Sequence, residues 1–170
     1  MPTLVEIKAR CTNPDWIKEQ LETLNADFKG VDHQIDTYFK VPNGRLKLRE
    51  GNIENTLIFY NRPNQEGPKV SKVELYKPVD SISLKRVLKA ANETLVVVDK
   101  QRAIYFIDNV KFHVDEVKDL GSFMEIEAID EVGEFTKEQL LEQCQHYMEV
   151  LKVQESDLIH HSYSDMLLEV

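Results

Sequence analysis

The chain has 170 residues, of which 42% are hydrophobic and 30% charged, and it carries a formal net charge of −9. That length suits one folded domain over residues 1–170, and core-forming residues spread along its whole length exclude a disordered or collagen-like chain. No stretch approaches the roughly 18 uninterrupted apolar residues of a bilayer span, and the acidic balance excludes a protein that coats a nucleic-acid backbone with positive charge. The opening MPTLVEIKAR sets acid and base where a secretory apolar region would lie. The expectation is therefore no export, a cytoplasmic protein, and two reduced cysteines, Cys11 and Cys144, used in packing. Any anion this chain binds has to meet a local cluster of cations.

The first predicted element is a strand over residues 4–10, with Glu6, Lys8 and Arg10 on one face and Val5, Ile7 and Ala9 on the other. A helix follows at Asn13, with Pro14 in its first turn and Ile17, Leu21 and Leu24 on one side. Period-two alternation then predicts strands over residues 34–40, 45–50, 56–62 and 70–77, joined by turns at Pro42 to Gly44 and Asn64 to Pro68. Within 45–49, Arg45, Lys47 and Arg49 oppose Leu46 and Leu48. A second helix begins near Ser83, with Leu84, Val87, Leu88 and Ala91 as the stripe that covers the sheet. Strands over 95–107, 110–117 and 123–129 come next. In the second of these Lys111, His113 and Asp115 face away from Val110, Phe112 and Val114; in the third Glu125 and Glu127 oppose Met124, Ile126 and Ala128. The third helix opens on a capping box, Thr136 with Gln139, and carries Leu140, Leu141, Cys144, Tyr147, Met148 and Leu151 at helical spacing.

Two arrangements account for this alternation: an open sheet with its charged face in water, or a closed barrel with the charges in its lumen and the helices outside. The near-uniform ionic character of one face and the apolar surface that three amphipathic helices require both point to the barrel. The expected fold is mainly β (α+β), an eight-stranded antiparallel closed β-barrel with helices packed on the outside. Desolvated ions cost several kcal/mol each, so such a lumen must be wet or filled. Carboxylates two apart on a strand suit a hard divalent cation, Mg²⁺ or Mn²⁺, and Arg and Lys around it suit phosphate oxygens. For each single residue a salt bridge across the barrel is the alternative role. His33, His113, His146, His160 and His161 lack zinc-ligand company, and neither a GxSxG elbow nor a P-loop is present.

The stretches Val5 to Arg10, Asp36 to Phe39 and Leu46 to Glu50 resemble the CYTH family, the triphosphate tunnel metalloenzymes, and within it the class IV adenylate cyclase branch. So do Leu57 to Pro63 with Gly67 to Lys69, Lys100 to Arg102, His113 to Val117, Leu120 to Glu127 and Ser162 to Met166. The order and spacing of these stretches over the full length carry the resemblance. It implies a tunnel in which Glu6, Glu125 and Glu127 hold Mg²⁺ or Mn²⁺, with Asp115 as a further acid near the metal. Lys8, Lys47, Arg49, Arg62, Lys100 and Arg102 are the implied triphosphate contacts, and Glu6, Asp115, Lys100 and Arg102 the candidate catalytic residues. Two positions depart from the family pattern: the first Glu of its ExExK signature is Leu4 here, and Lys47 stands where Arg is more frequent. The implied activity is conversion of ATP to cyclic AMP and pyrophosphate. Hydrolysis of thiamine triphosphate or inorganic tripolyphosphate is the first alternative, and non-catalytic binding of a polyphosphate or nucleotide, suggested by Leu4, is the second. The expected partner is ATP or another triphosphate, with no nucleic acid and no membrane, and with homodimer formation left open.

Overall fold

Charged and apolar residues that alternate along so many strands are sorted here to the two sides of a single closed sheet. The computed structural model describes residues 2–61 and 68–169. Its strands are β1 (Thr3–Arg10), β2 (Asp27–Phe39), β3 (Arg45–Glu50), β4 (Asn55–Asn61), β5 (Lys69–Tyr76), β6 (Thr94–Ile107), β7 (Val110–Val117) and β8 (Gly121–Asp130). They close into a barrel in the order β1-β5-β4-β3-β2-β6-β7-β8, every neighbouring pair antiparallel, so the expected fold is the one observed. Closure pairs each strand on both sides and separates a lumen from an outer surface.

The outer surface carries the main core. Val5, Ile7 and Ala9 of β1, Phe112 and Val114 of β7, and Met124, Ile126 and Ala128 of β8 are buried under helices α1 (Pro14–Thr23) and α3 (Lys137–Val150). From α1 come Ile17 and Leu21; from α3, Leu140 and Cys144. Each fully buried aliphatic side chain contributes about 1.5–3 kcal/mol of transfer free energy. The capping box of α3 is present, with Thr136 accepting from the Gln139 backbone amide and Gln139 accepting from that of Thr136. Leu24 falls beyond the end of α1 and is 38% exposed, so the apolar face of that helix is Ile17 and Leu21, with Trp16 packed partly buried beside them.

Three elements differ from the sequence expectation. β2 starts at Asp27, seven residues before the predicted strand at 34, and its early part pairs with β6 alone. That ribbon carries a bulge between Phe28 and Gly30, where Gly30 takes φ 115°, and exposed residues on its outer side, so no apolar alternation marks it. Helix α2 (Ser81–Ala91), capped by Asp80 accepting from the Ser83 amide, buries none of its residues, and Val87 is 63% exposed. The expected covering role fails because this segment is a crossover between β5 and β6, which have three strands between them on either side of the barrel. It runs past β3, where Lys85 meets Glu50 at 2.9 Å. A short helix, α4 (Tyr163–Leu168), was not predicted; its Tyr163 packs with Tyr38, Val98, Val117 and Phe123 across one end of the barrel.

Register fixes the depth of each lumen residue. On the wall from β6 to β1, Lys100 pairs with Val117 and Arg102 with Asp115 near the α4 end. Next come His113 opposite Glu125 and Lys8 opposite Glu125, then Lys111 and Glu6 opposite Glu127. Farthest from α4, Leu4 pairs with Ile129.

Candidate active site

The lumen is a cavity of about 360 Å³. Eight of the residues singled out from the sequence line it together: Glu6, Lys8, Lys47, Arg49, Lys100, Arg102, Glu125 and Glu127. Asp115 is set behind Arg102, fully buried, its two oxygens accepting from Arg102 Nε and Nη2 at 2.8 and 2.7 Å and one of them also from the Tyr163 hydroxyl at 2.9 Å. Its place is that of a brace for a cation; the metal-competent donor group described below does not include it. Arg62 lies outside the described residues.

Four layers follow from floor to mouth. The floor is the C-terminal segment: Lys69 donates to the His160 carbonyl at 2.5 Å, and Arg45 donates to Ser162, Ser164 and Asp165. Lys8 lies 4.1 Å from the centre of the Tyr163 ring. Above the floor sit the cations Lys100, Arg102, Lys47 and Arg49. The carboxylates Glu125, Glu127 and Glu6 with His113 make the third layer. The mouth on the β1, β4, β5 and β8 side is apolar, built from Leu4, Ile58, Val73, Leu75 and Ile129.

The cation layer is assembled on acids. Asp36 of β2 accepts from Arg49 Nε and Nη2 at 2.9 Å each and from Lys100 Nζ at 2.8 Å, with Lys47 at 3.6 Å. Burial alone would raise the Asp36 carboxyl, but Arg49, Lys100 and Lys47 outweigh it and hold it well below its ordinary range. One carboxylate cannot balance three cations, so Lys100, desolvated and facing Arg102 and Arg49, falls to about 7. Burial works against the Arg102 guanidinium, but Asp115 and Glu125 raise it well above its usual value. Glu54, carried on the β3–β4 turn, bridges to Lys111 and to Arg49, 3.5 Å away; these cations overturn the effect of its burial and lower its carboxyl.

The third layer is unevenly balanced: burial of Glu125 is outweighed by Arg102, which holds its carboxyl well below its ordinary range, while Glu127 meets less positive charge. Burial and the neighbouring Glu6 push Glu127 up to about 7. Burial and then the Arg102 charge lower His113 to about 4, which leaves its imidazole neutral at pH 7. One ligand atom from each of His113, Glu125 and Glu127 can be chosen so that all lie within 4.8 Å of one another, and His113 Nε2 is buried with no hydrogen-bond partner. A divalent cation fits this donor set, because it would neutralise the crowded carboxylates and satisfy the orphaned nitrogen.

Sequence reading did not select His113, Glu54, Lys111 or Tyr163, and it met Asp36 only inside a motif. His113 and Glu125 are twelve positions apart, joined by the tight turn between β7 and β8 where Asp119 and Gly121 both have positive φ. Carrying the register across that turn places them opposite one another, a signal that residue spacing alone does not give.

This fold has counterparts among known proteins. The CYTH domain family model matches residues 3–163. A Methanocaldococcus jannaschii protein provisionally named adenylate cyclase is 25% identical over 177 aligned positions, which cover 95% of this chain and 97% of that one. A solved structure from Pyrococcus horikoshii superposes with a TM-score of 0.81 at 24% identity, covering 95% of this chain and 98% of its own. A Vibrio parahaemolyticus structure, also provisionally named adenylate cyclase, gives 0.79 at 19% identity over 96% and 97%. At these identities the two structures speak to the fold.

Proposed function

Since the chain belongs to the CYTH domain family, we propose that it is a metal-dependent enzyme that cyclises ATP to cyclic AMP and pyrophosphate. The observation that carries this reading is the order of the layers. A triphosphate entering terminal phosphate first would put its outer two phosphates among Lys100, Arg102, Arg49 and Lys47, its α-phosphorus level with His113, Glu125 and Glu127, and its nucleoside on the apolar mouth. Hydrolysis of the terminal phosphate would instead need the carboxylate layer at the bottom. The name of the Methanocaldococcus relative supports the same choice.

In the reaction the ribose 3′ oxygen bonds to the α-phosphorus, the bond from that phosphorus to the bridging oxygen of the β-phosphate breaks, and the hydroxyl proton passes to a carboxylate of the Glu6–Glu127 pair. His113, Glu125 and Glu127 would hold a divalent cation, which would supply positive charge to acidify the hydroxyl and offset charge on the phosphate. Arg102 and Arg49, whose Nε and Nη2 edges are taken by Asp115 and Asp36, would offer their remaining N–H groups to phosphate oxygens, and Lys100 and Lys47 act as point charges where pyrophosphate gathers negative charge. Asp36 and Asp115 hold these cations in place beforehand, so little reorganisation accompanies the step.

The test is to incubate pure protein and Mg²⁺ or Mn²⁺ with ATP, thiamine triphosphate or tripolyphosphate in turn and to separate the products chromatographically. Cyclic AMP with pyrophosphate is expected. Orthophosphate from any of the three would replace cyclisation by hydrolysis, and ligand binding without metal-dependent turnover would make the protein a binder.

A further inference from the structure

Within this site His113 holds a position that an all-carboxylate metal centre does not explain. It projects from β7 directly opposite Glu125 on β8, with Nδ1 3.3 Å from Glu125 Oε2. It is 2% exposed, and Nε2 has no partner at all. A buried ring nitrogen left unsatisfied costs on the order of 1–3 kcal/mol, so a residue placed this way calls for something that accepts its lone pair or its proton. Arg102 and Lys111 carry donors that could meet that lone pair, but neither comes within hydrogen-bond distance of Nε2, and Glu125 is engaged through Nδ1 and by Arg102 at 3.3 Å. On β1, meanwhile, the lumen position mouthward of Glu6 is Leu4, packed among Tyr60, Val73 and Ile129, so Glu6 is the carboxylate that wall brings to this level.

We infer that His113 is a metal ligand, and that with Glu125 and Glu127 it forms a mixed nitrogen and oxygen centre that takes an imidazole-accepting first-row ion such as Mn²⁺, Co²⁺ or Zn²⁺ in preference to Mg²⁺. Two donors about 2.1 Å from one ion are at most about 4.2 Å apart. Pairs at right angles lie about 3.0 Å apart, so the group, spread over no more than 4.8 Å, has to close by about 1–2 Å on binding. Mg²⁺ prefers oxygen and sheds water reluctantly, whereas Mn²⁺ accepts an imidazole more readily and Co²⁺ and Zn²⁺ bind it more strongly still. The contact with Glu125 would then serve as the orienting hydrogen bond that ligating histidines commonly make through their other nitrogen. The inference deepens the proposed function by naming the class of ion, and it rests on that reading only for the location of the metal.

Mn²⁺ alone is the probe. Electron paramagnetic resonance titration gives its affinity, and electron spin-echo modulation reports nitrogen bound to it. The native protein should show ¹⁴N modulation from bound Mn²⁺. His113→Gln, checked for folding by circular dichroism, should lose that modulation and bind Mn²⁺ roughly 10–100-fold more weakly, while Mg²⁺ affinity, read by displacement of Mn²⁺, changes little. Absence of Mn²⁺ binding, binding without ¹⁴N modulation in the native protein, or modulation that persists in His113→Gln through His160 or His161 would each overturn the inference. The native spectrum decides even where the variant fails to fold. A nitrogen signal without cyclic AMP would keep the centre and remove the reaction; cyclic AMP without a nitrogen signal would do the reverse.

Discussion

Asp36 and Lys100 show how far single residues set the energetics of this lumen. Asp36 is 1% exposed and faces three cations at once. Removing one partner from a buried ion cluster leaves uncompensated charge and costs about 3–5 kcal/mol. Asp36→Ala should therefore lower the thermal midpoint by roughly 10 °C in a chain of this size. Added pyrophosphate should recover more of that loss than it adds to the native protein, because phosphate oxygens replace the missing carboxylate; equal shifts in both proteins in a melting assay would contradict this. Lys100 makes the complementary case. Its folded value, about 7, lies below its ordinary 10.5, so below pH 7 both folded and unfolded chains carry the proton and the fold bears the cost of the buried charge. Between those values the folded chain sheds the proton first, so stability rises as pH increases from 7 towards 10. In denaturant melts across this range the native protein should gain a few kcal/mol relative to Lys100→Met, and parallel curves for the two would rule the effect out. The histidine that best completes the acid layer was passed over in the sequence because its company is assembled across a hairpin, whereas Glu125 and Glu127 announce themselves by sharing one strand.

Among the elements, legibility followed two-sided burial. All the strands but β2 were readable to within two residues, and most plainly β1, β3, β7 and β8, where side chains divide between an ionic lumen and an apolar outer face. The start of β2 was not, since its outer side chains are exposed and nothing apolar marks the period. The helices separate in the same way. α1 and α3 have an apolar stripe and bury it; α2 has the stripe and does not, because its position follows from connecting distant strands and not from packing. Substitutions should expose the contrast: Leu140→Ala in α3 should cost about 2–5 kcal/mol in chemical denaturation, whereas Val87→Asp in α2 should stay within about 0.5 kcal/mol. A large loss at Val87 would mean that α2 is covered in solution. α4 escaped notice because a six-residue helix has too few turns to show a period; its contribution comes from where the chain leads it, across the end of the barrel.

For the molecule as a whole, the barrel reconciles an acidic chain with a site for anions. A formal charge of −9 would repel a triphosphate from an open surface, yet the lumen gathers Lys8, Lys47, Arg49, Lys100, Arg102 and Lys111 behind low-dielectric walls where solvent ions screen them weakly. The pattern that made the closed sheet legible also made the convergence of these residues legible, while their depth order depended on register that only the pairings supply. That order bears on how the cavity empties. Tyr163 and its neighbours pack across the end beyond the cations, so under the proposed cyclisation the fragment seated deepest would wait for the one nearer the opening to leave. In steady-state kinetics the cyclic nucleotide should then dissociate first and inhibit noncompetitively towards ATP, with pyrophosphate last to go and competitive; the opposite pattern would require a way out through the floor. An enzyme built like this would have its turnover limited by how tightly it grips the by-product, and any protein that consumes pyrophosphate at its doorstep would quicken it without touching the chemistry.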